Sequence, residues 1–280
     1  MSYISDFKSS SIALGNQGFS AIPGNGAIPS SGTGSFGNAF PMQIGQRFAL
    51  ADGREVALVR NGTVALAAGV LVQAPAEVTA FEKLAMTVPA AYPATAGLFQ
   101  ILVTNGATVL NLNQFQGGFA TVSAGTGIGQ MFRIASHAVA ANGATFVVTL
   151  EDPIITTLDA TSKISLISNL YDGVVINPTT ATSTPVGVSL YPLAASTAAT
   201  YDGTSGKLTL NGIAQYGFIV TRGLVSCLID NTVTNVGYPL GRSAATAGAL
   251  GVATLTTAAG FGIAAQTLTS AQNGAALISL

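Results

Sequence analysis

Apolar and polar positions alternate along most of this chain in strand-length runs, broken at short intervals by Gly, Asn, Asp and Pro. The densest pattern lies at residues 216–251, YGFIVTRGLVSCLIDNTVTNVGYPLGRSAATAGALG. Three apolar runs, 217–221, 224–229 and 233–236, are separated by Arg222-Gly223, Asp230-Asn231-Thr232 and Gly237-Tyr238-Pro239. Such spacing predicts short antiparallel hairpins. The tail 243–249 is made of small residues and predicts packing and contact rather than chemistry.

The same reading applied from the N-terminus divides the chain into four parts. Residues 1–46 carry only Asp6 and Lys8 as charges and are interrupted throughout by Gly and Pro. No apolar period survives there, yet Phe7, Ile12, Phe19, Phe36 and Phe40 recur as isolated apolar positions. We read an extended arm that lies on a partner or on its own body, with a disordered leader as the alternative. Residues 47–176 read as a β-domain. Asp52-Gly53, Asn61-Gly62, Asn105-Gly106, Asn142-Gly143 and Asp172-Gly173 are all tight-turn signals. The first two predict a meander running on to Gln73. Glu77–Met86 fits one short helix or an irregular strand. Residues 177–206, rich in Thr, Ser and Pro, predict a surface loop or domain junction, with a strand near 187–191. Residues 207–280 form a C-terminal β-module, whose last run, 275–280, predicts a paired strand. The fold class is all-β, an antiparallel sandwich or barrel built from short hairpins, with an extended Gly/Pro-rich N-terminal arm.

Composition changes this picture in one respect. Only 8% of residues are charged, against about 25% in ordinary soluble domains. A folded chain of this mass exposes roughly 11,000 Å², which leaves about one charge per 500 Å². A nearly neutral, charge-poor surface is weakly protected against association and suits a subunit of an assembly. No basic run offers an electrostatic footprint for nucleic acid, and no apolar segment has the length of a membrane span. The N-terminus lacks the basic start and apolar core of a signal peptide. Cys227 is the one cysteine, which fits a small buried strand residue and synthesis in a reducing compartment.

Candidate chemistry is sparse. His137 is the one histidine, and its surroundings lack a nucleophile elbow, so a polar residue at a strand end is expected. Gly125-Thr126-Gly127-Ile128-Gly129 looks like a phosphate loop but leads into a strand-like alternation, which predicts a turn or bulge. Glu151, Asp152 and Asp159 are the densest acids; their spacing matches no EF-hand, and Glu151-Asp152-Pro153 is expected to end a strand. No catalytic residue, cofactor or metal is expected.

Several of these stretches together resemble the capsid decoration, or cement, proteins of tailed bacteriophages. They are 47–55 (RFALADGRE), 61–66 (NGTVAL), 131–137 (MFRIASH) and 216–223 (YGFIVTRG) with its continuation to the small-residue segment 243–249. The chain departs from small cement proteins in its length and its long arm. The resemblance implies a β-rich virion protein without enzymatic activity, made in the host cytoplasm. It would sit on the outer capsid surface, bind the major capsid protein, and associate with itself as a trimer or dimer. Phe7, Ile12, Phe19, Phe36, Phe40, Arg222 and Arg242 are the expected capsid or subunit contacts. The alternative function is a tail-fibre or other receptor- or glycan-binding virion component. A third, a hydrolase using Glu151, Asp152 or His137, has the least support in the residues.

Overall fold

The computed structural model describes residues 43–82, 86–196, 215–230, 233, 235–253, 260–268 and 272–280, with the backbone of 200–202 and 207–209. The anchors Phe7, Ile12, Phe19, Phe36 and Phe40 lie outside the described residues. The fold is all-β. Residues 77–82 hold a single 3-10 turn, Thr79–Phe81, and Met86 already belongs to a strand, so the helical option for this segment does not stand.

The chain forms two compact units, one interrupting the other. Among the described residues, the first joins those up to Pro75 with those from Leu170 to Leu280, and the second lies within Ala76–Asn169. This division differs from the expected boundaries at 176 and 206. The expectation followed composition, and residues 177–206 look like a linker. The strand expected near 187–191 is present as β11 (Pro185–Ser189), and it joins the first unit's sheet rather than a junction between domains.

The inserted unit is a closed barrel. Its strands are β4 (Met86–Thr87), β5 (Gln100–Thr104), β6 (Phe119–Ala124), β7 (Met131–His137), β8 (Thr145–Leu150) and β9 (Lys163–Ile167), in the order β4-β5-β8-β7-β6-β9. Every pairing is antiparallel. Alternation fills the interior. Ile101 and Val103, Ala120 and Val122, Phe132 and Ile134, Phe146 and Val148, and Ile164 and Leu166 are each two residues apart, buried, and in one cluster.

The first unit is organised by one long strand, β14 (Tyr216–Ile229). Here the structure corrects the expected hairpins, because the chain runs straight through Arg222-Gly223. The first half of β14 pairs with β2 (Glu55–Asn61) and β11, and the second half pairs with β18 (Gln272–Ser279). Each half closes a ring of strands. One ring is β2, β10 (Asp172–Ile176), β3 (Leu71–Gln73), β11 and β14; the other is β14, β16 (Leu250–Val252), β15 (Pro239–Arg242), β17 (Gly260–Ala264) and β18. A ring of five strands cannot alternate in direction all the way round, so each must contain a parallel neighbour pair. Those pairs are β2–β10 and β14–β16. The Arg60 guanidinium and the Asp172 carboxylate form an ion pair at the first of these. Closure removes the unpaired edges that invite strand addition. Edge strands among the described residues are β1 (Arg47–Ala49), which pairs with β2 alone, and the hairpin of β12 (Thr200–Asp202) with β13 (Lys207–Thr209).

Burial explains why β14 reads as it does. Gly217–Thr221 is buried on both faces. Ile219 packs with Ala57, Val59, Val72, Val174 and Val186, while Phe218 and Val220 join the cluster that fills the second ring. Beyond Gly223 only one face is covered: Val225, Cys227 and Ile229 are buried, and Leu224 and Ser226 are exposed. A strand covered on two faces reads as a continuous apolar run, and one covered on a single face alternates.

Other turn signals behave unequally. Asp52-Gly53 closes the β1–β2 hairpin as expected. Asn61-Gly62 and Asn105-Gly106 are not hairpin turns, and the expected meander ends at β2. Asn61 is buried, and its side-chain amide donates to the carbonyls of Val64 and Ala194. Asn105 does the same toward Thr108 and Ala141. Gly173 lies inside β10, at a register shift against β2.

Candidate contact surface

The second ring presents a face with an unusual row on it. Because Val225, Cys227 and Ile229 turn inward, Leu224 turns out. On β18, Ala276 and Ile278 are buried, and Leu277 is exposed. Register places Leu224 directly opposite Leu277, Leu277 opposite Ile263 of β17, and Ile263 opposite Pro239 of β15. Leu224, Leu277 and Ile263 are 53%, 45% and 43% exposed. Directly opposed residues touch side by side, so the row crosses four adjacent strands. Val236 and Tyr238, both exposed, lie on the segment that leads into β15 and whose backbone bonds Ala264.

Arg222 borders this row. Its side chain is 66% exposed and pairs with Glu55 at 3.5 Å. Arg242 stands elsewhere: it is opposite Leu250, which is opposite Ile229 at the far end of β14. Seven strand residues, roughly 23 Å, separate Arg222 from Ile229. The two arginines expected as contacts therefore do not share one site. Beside Arg242, the Ser243 hydroxyl donates to the Asp230 carboxylate and accepts the amides of Ala245 and Thr246. That turn opens the small-residue tail.

A second exposed apolar group lies on the inserted barrel. Leu98, Phe99, Ile128, Met131 and Ile155 are all exposed. They sit on three segments tied together at one rim. Gly97 and Ile154 bond through their backbones, and Leu150 donates to Phe99. The Gln130 side chain bridges the other two loops: it accepts the amides of Ile155 and Thr156 and donates to the carbonyls of Gly127 and Thr156. The opposite rim exposes Val109, Leu112 and Val139.

The residues considered for chemistry sit at strand ends and turns. His137 ends β7 and is 3% exposed. Its Nε2 accepts the Phe115 amide at 2.9 Å, so Nδ1 carries the proton and donates to the Ala138 carbonyl at 3.0 Å. Burial lowers its pKa. Gly125–Gly129 forms a turn before β7. Glu151-Asp152-Pro153 follows the end of β8, and Glu151 lies 3.6 Å from Arg133. The hydroxyls of Thr161 and Thr126 hold the Asp159 carboxyl below its ordinary range. Among the described residues no group of three His, Cys, Asp or Glu side chains could hold a metal ion.

The apolar row escaped the sequence reading for a definite reason. In LVSCLI and AALISL both faces carry apolar residues, and only the register between β14, β18 and β17 aligns the outward ones. No protein-family model, curated protein or solved structure matches the chain.

Proposed function

We propose that this chain is a structural virion protein that binds the outer capsid surface and clamps neighbouring major capsid subunits. The observation that carries this reading is the pairing of a charge-poor composition with grouped, half-exposed apolar side chains on closed strand rings. Closed rings cannot recruit partners through strand edges. Contact on the rings and the barrel therefore comes from side chains, and grouped apolar surface is the form that marks interaction sites. Many weak contacts of this kind become strong when repeated over a lattice. The barrel rim of Leu98, Phe99, Ile128, Met131 and Ile155 is the surface this reading assigns to the capsid.

Copy number in purified particles tests it. The expected result is many copies per particle over the capsid shell, particles that lose heat resistance without the protein, and incorporation that falls at least tenfold for Ile155→Asp. A few copies confined to the tail tip would overturn the decoration reading and support receptor binding instead.

A further inference from the structure

We infer that the outer face of the second ring, centred on Leu277 with Leu224 and Ile263 beside it, joins two copies of this chain face to face. The inference extends the assembly reading above, but its test needs no capsid.

Three observations single out a second copy as the occupant. The first is extent. Leu224, Leu277, Ile263 and Pro239 form one apolar row across four adjacent strands, and an apolar centre inside a polar rim is the anatomy of a stable interface. The second is charge. In a two-fold contact residues near the axis meet their own counterparts, so an unneutralised charge at the centre of the face would oppose itself. The outward neighbours of the row are Ser226, Ala275 and Ser279. The bordering Arg222 is already paired with Glu55. The third is topology. All five strands of this ring have both sides paired, so copies cannot add strand to strand here. They can only pack sheet on sheet, with side chains of the two faces interleaved. A row of Leu, Leu and Ile is self-complementary in that geometry.

Purified full-length protein is measured by size-exclusion chromatography with light scattering across a wide concentration range. The expected mass is that of two chains. Leu277→Asp should elute as one chain, with a far-ultraviolet spectrum unchanged from the wild type. Leu224→Ser, a milder change at an exposed position, should weaken the dimer about tenfold, so the test survives a Leu277 variant that misfolds. Ile155→Asp on the barrel rim should leave the dimer intact. A single-chain or three-chain mass for the wild type overturns the inference, as does a Leu224→Ser protein that dimerises as tightly as the wild type. Loss of the dimer in Ile155→Asp also overturns it. Failure of capsid binding leaves it standing, and a monomer in solution leaves the capsid reading standing.

Discussion

Gly223 of β14 lies against Arg54: a β-carbon at this glycine would stand 3.0 Å from both Cα and Cγ of Arg54. Its φ is +109°, in the middle of a strand otherwise extended. The residue is the joint between the two rings. Arg222 pairs with Glu55 of the first ring and with Ser279 of the second, and the register with β2 shifts here. A glycine is required because the backbone must both adopt positive φ and pass close to another chain segment.

Gly223→Ala should therefore destabilise the protein by about 3 kcal/mol, combining backbone strain with overpacking. Gly53→Ala is the control. Its φ of +84° is also positive, but nothing lies within 4 Å of the added carbon, so about 1 kcal/mol is expected. Urea denaturation midpoints compare the two. Equal losses would mean that the close approach to Arg54 contributes nothing.

Much of the architecture was legible from the chain itself, and the exceptions share a cause. Single-faced strands such as β6, β7 and β8 show their alternation directly. The long strand β14 does not, because its first half is covered on both faces and its joint, Arg222-Gly223, reads as a turn. Asn61-Gly62 and Asn105-Gly106 read as turns for the same local reason. Yet each asparagine is buried and its side-chain amide ties loop carbonyls together. A recurring device also passed unnoticed. In Leu66-Ala67-Ala68-Gly69, Ala94-Thr95-Ala96-Gly97 and Ala140-Ala141-Asn142-Gly143, a buried residue makes an isolated bridge. A glycine at positive φ follows three residues later, and a strand begins shortly after. The inserted unit was hidden because its boundaries, near 75 and 170, carry no change of composition. Ring closure and the apolar row depend on long-range register, which no local pattern encodes.

The buried asparagines lead to a second prediction. Asn61→Ala removes the donor from the carbonyls of Val64 and Ala194. Losing hydrogen bonds to these part-buried carbonyls should cost about 1 kcal/mol. Asn61→Asp should be worse, because a carboxylate would face those carbonyls. Thermal unfolding of the two variants gives the order; an aspartate variant as stable as the wild type would show that the bridge does not hold this loop.

His137 makes stability depend on pH in a predictable direction. Burial holds its pKa below the ordinary 6.5, and Nε2 must stay unprotonated to accept the Phe115 amide. The imidazole lies among Phe115, Phe146 and uncharged backbone, and residues 105–118 and 138–150 contain no charged side chain. As pH falls through 6.5 the unfolded chain takes up a proton that the folded chain refuses. Stability is therefore fully present above the unfolded value and declines below it. His137→Gln offers an acceptor to Phe115 without titrating, and should flatten the profile between pH 7.5 and 5.5. Since this is the one histidine in the chain, an unaltered slope in the variant would remove His137 as its source.

Cys227 reports on the second ring. Its thiol is fully buried, donates to the Gly274 carbonyl at 3.6 Å, and is pushed by burial to a pKa of about 12. A thiolate is the reactive species, so a disulfide reagent should fail to label the native protein at pH 8 and label it fully in denaturant. Rapid native labelling would mean that β14 and β18 separate readily.

The inserted barrel should fold alone. Its ends leave the first unit from adjacent strands: Gln73 of β3 is opposite Val175 of β10, and Val72 is opposite Ile176. All six of its strands pair with one another, and its core of Ile101, Phe132, Ile134, Val148, Ile164 and Leu166 is contributed by residues within 76–169. A fragment spanning 76–169 is long enough to bury such a core. It should unfold cooperatively, and its stability should respond to pH through His137 as in the full chain. The complementary protein, with 76–169 replaced by a short turn, should keep both five-stranded rings and leave Cys227 protected from labelling. Non-cooperative melting of the fragment would show that the barrel draws its stability from the rest of the chain.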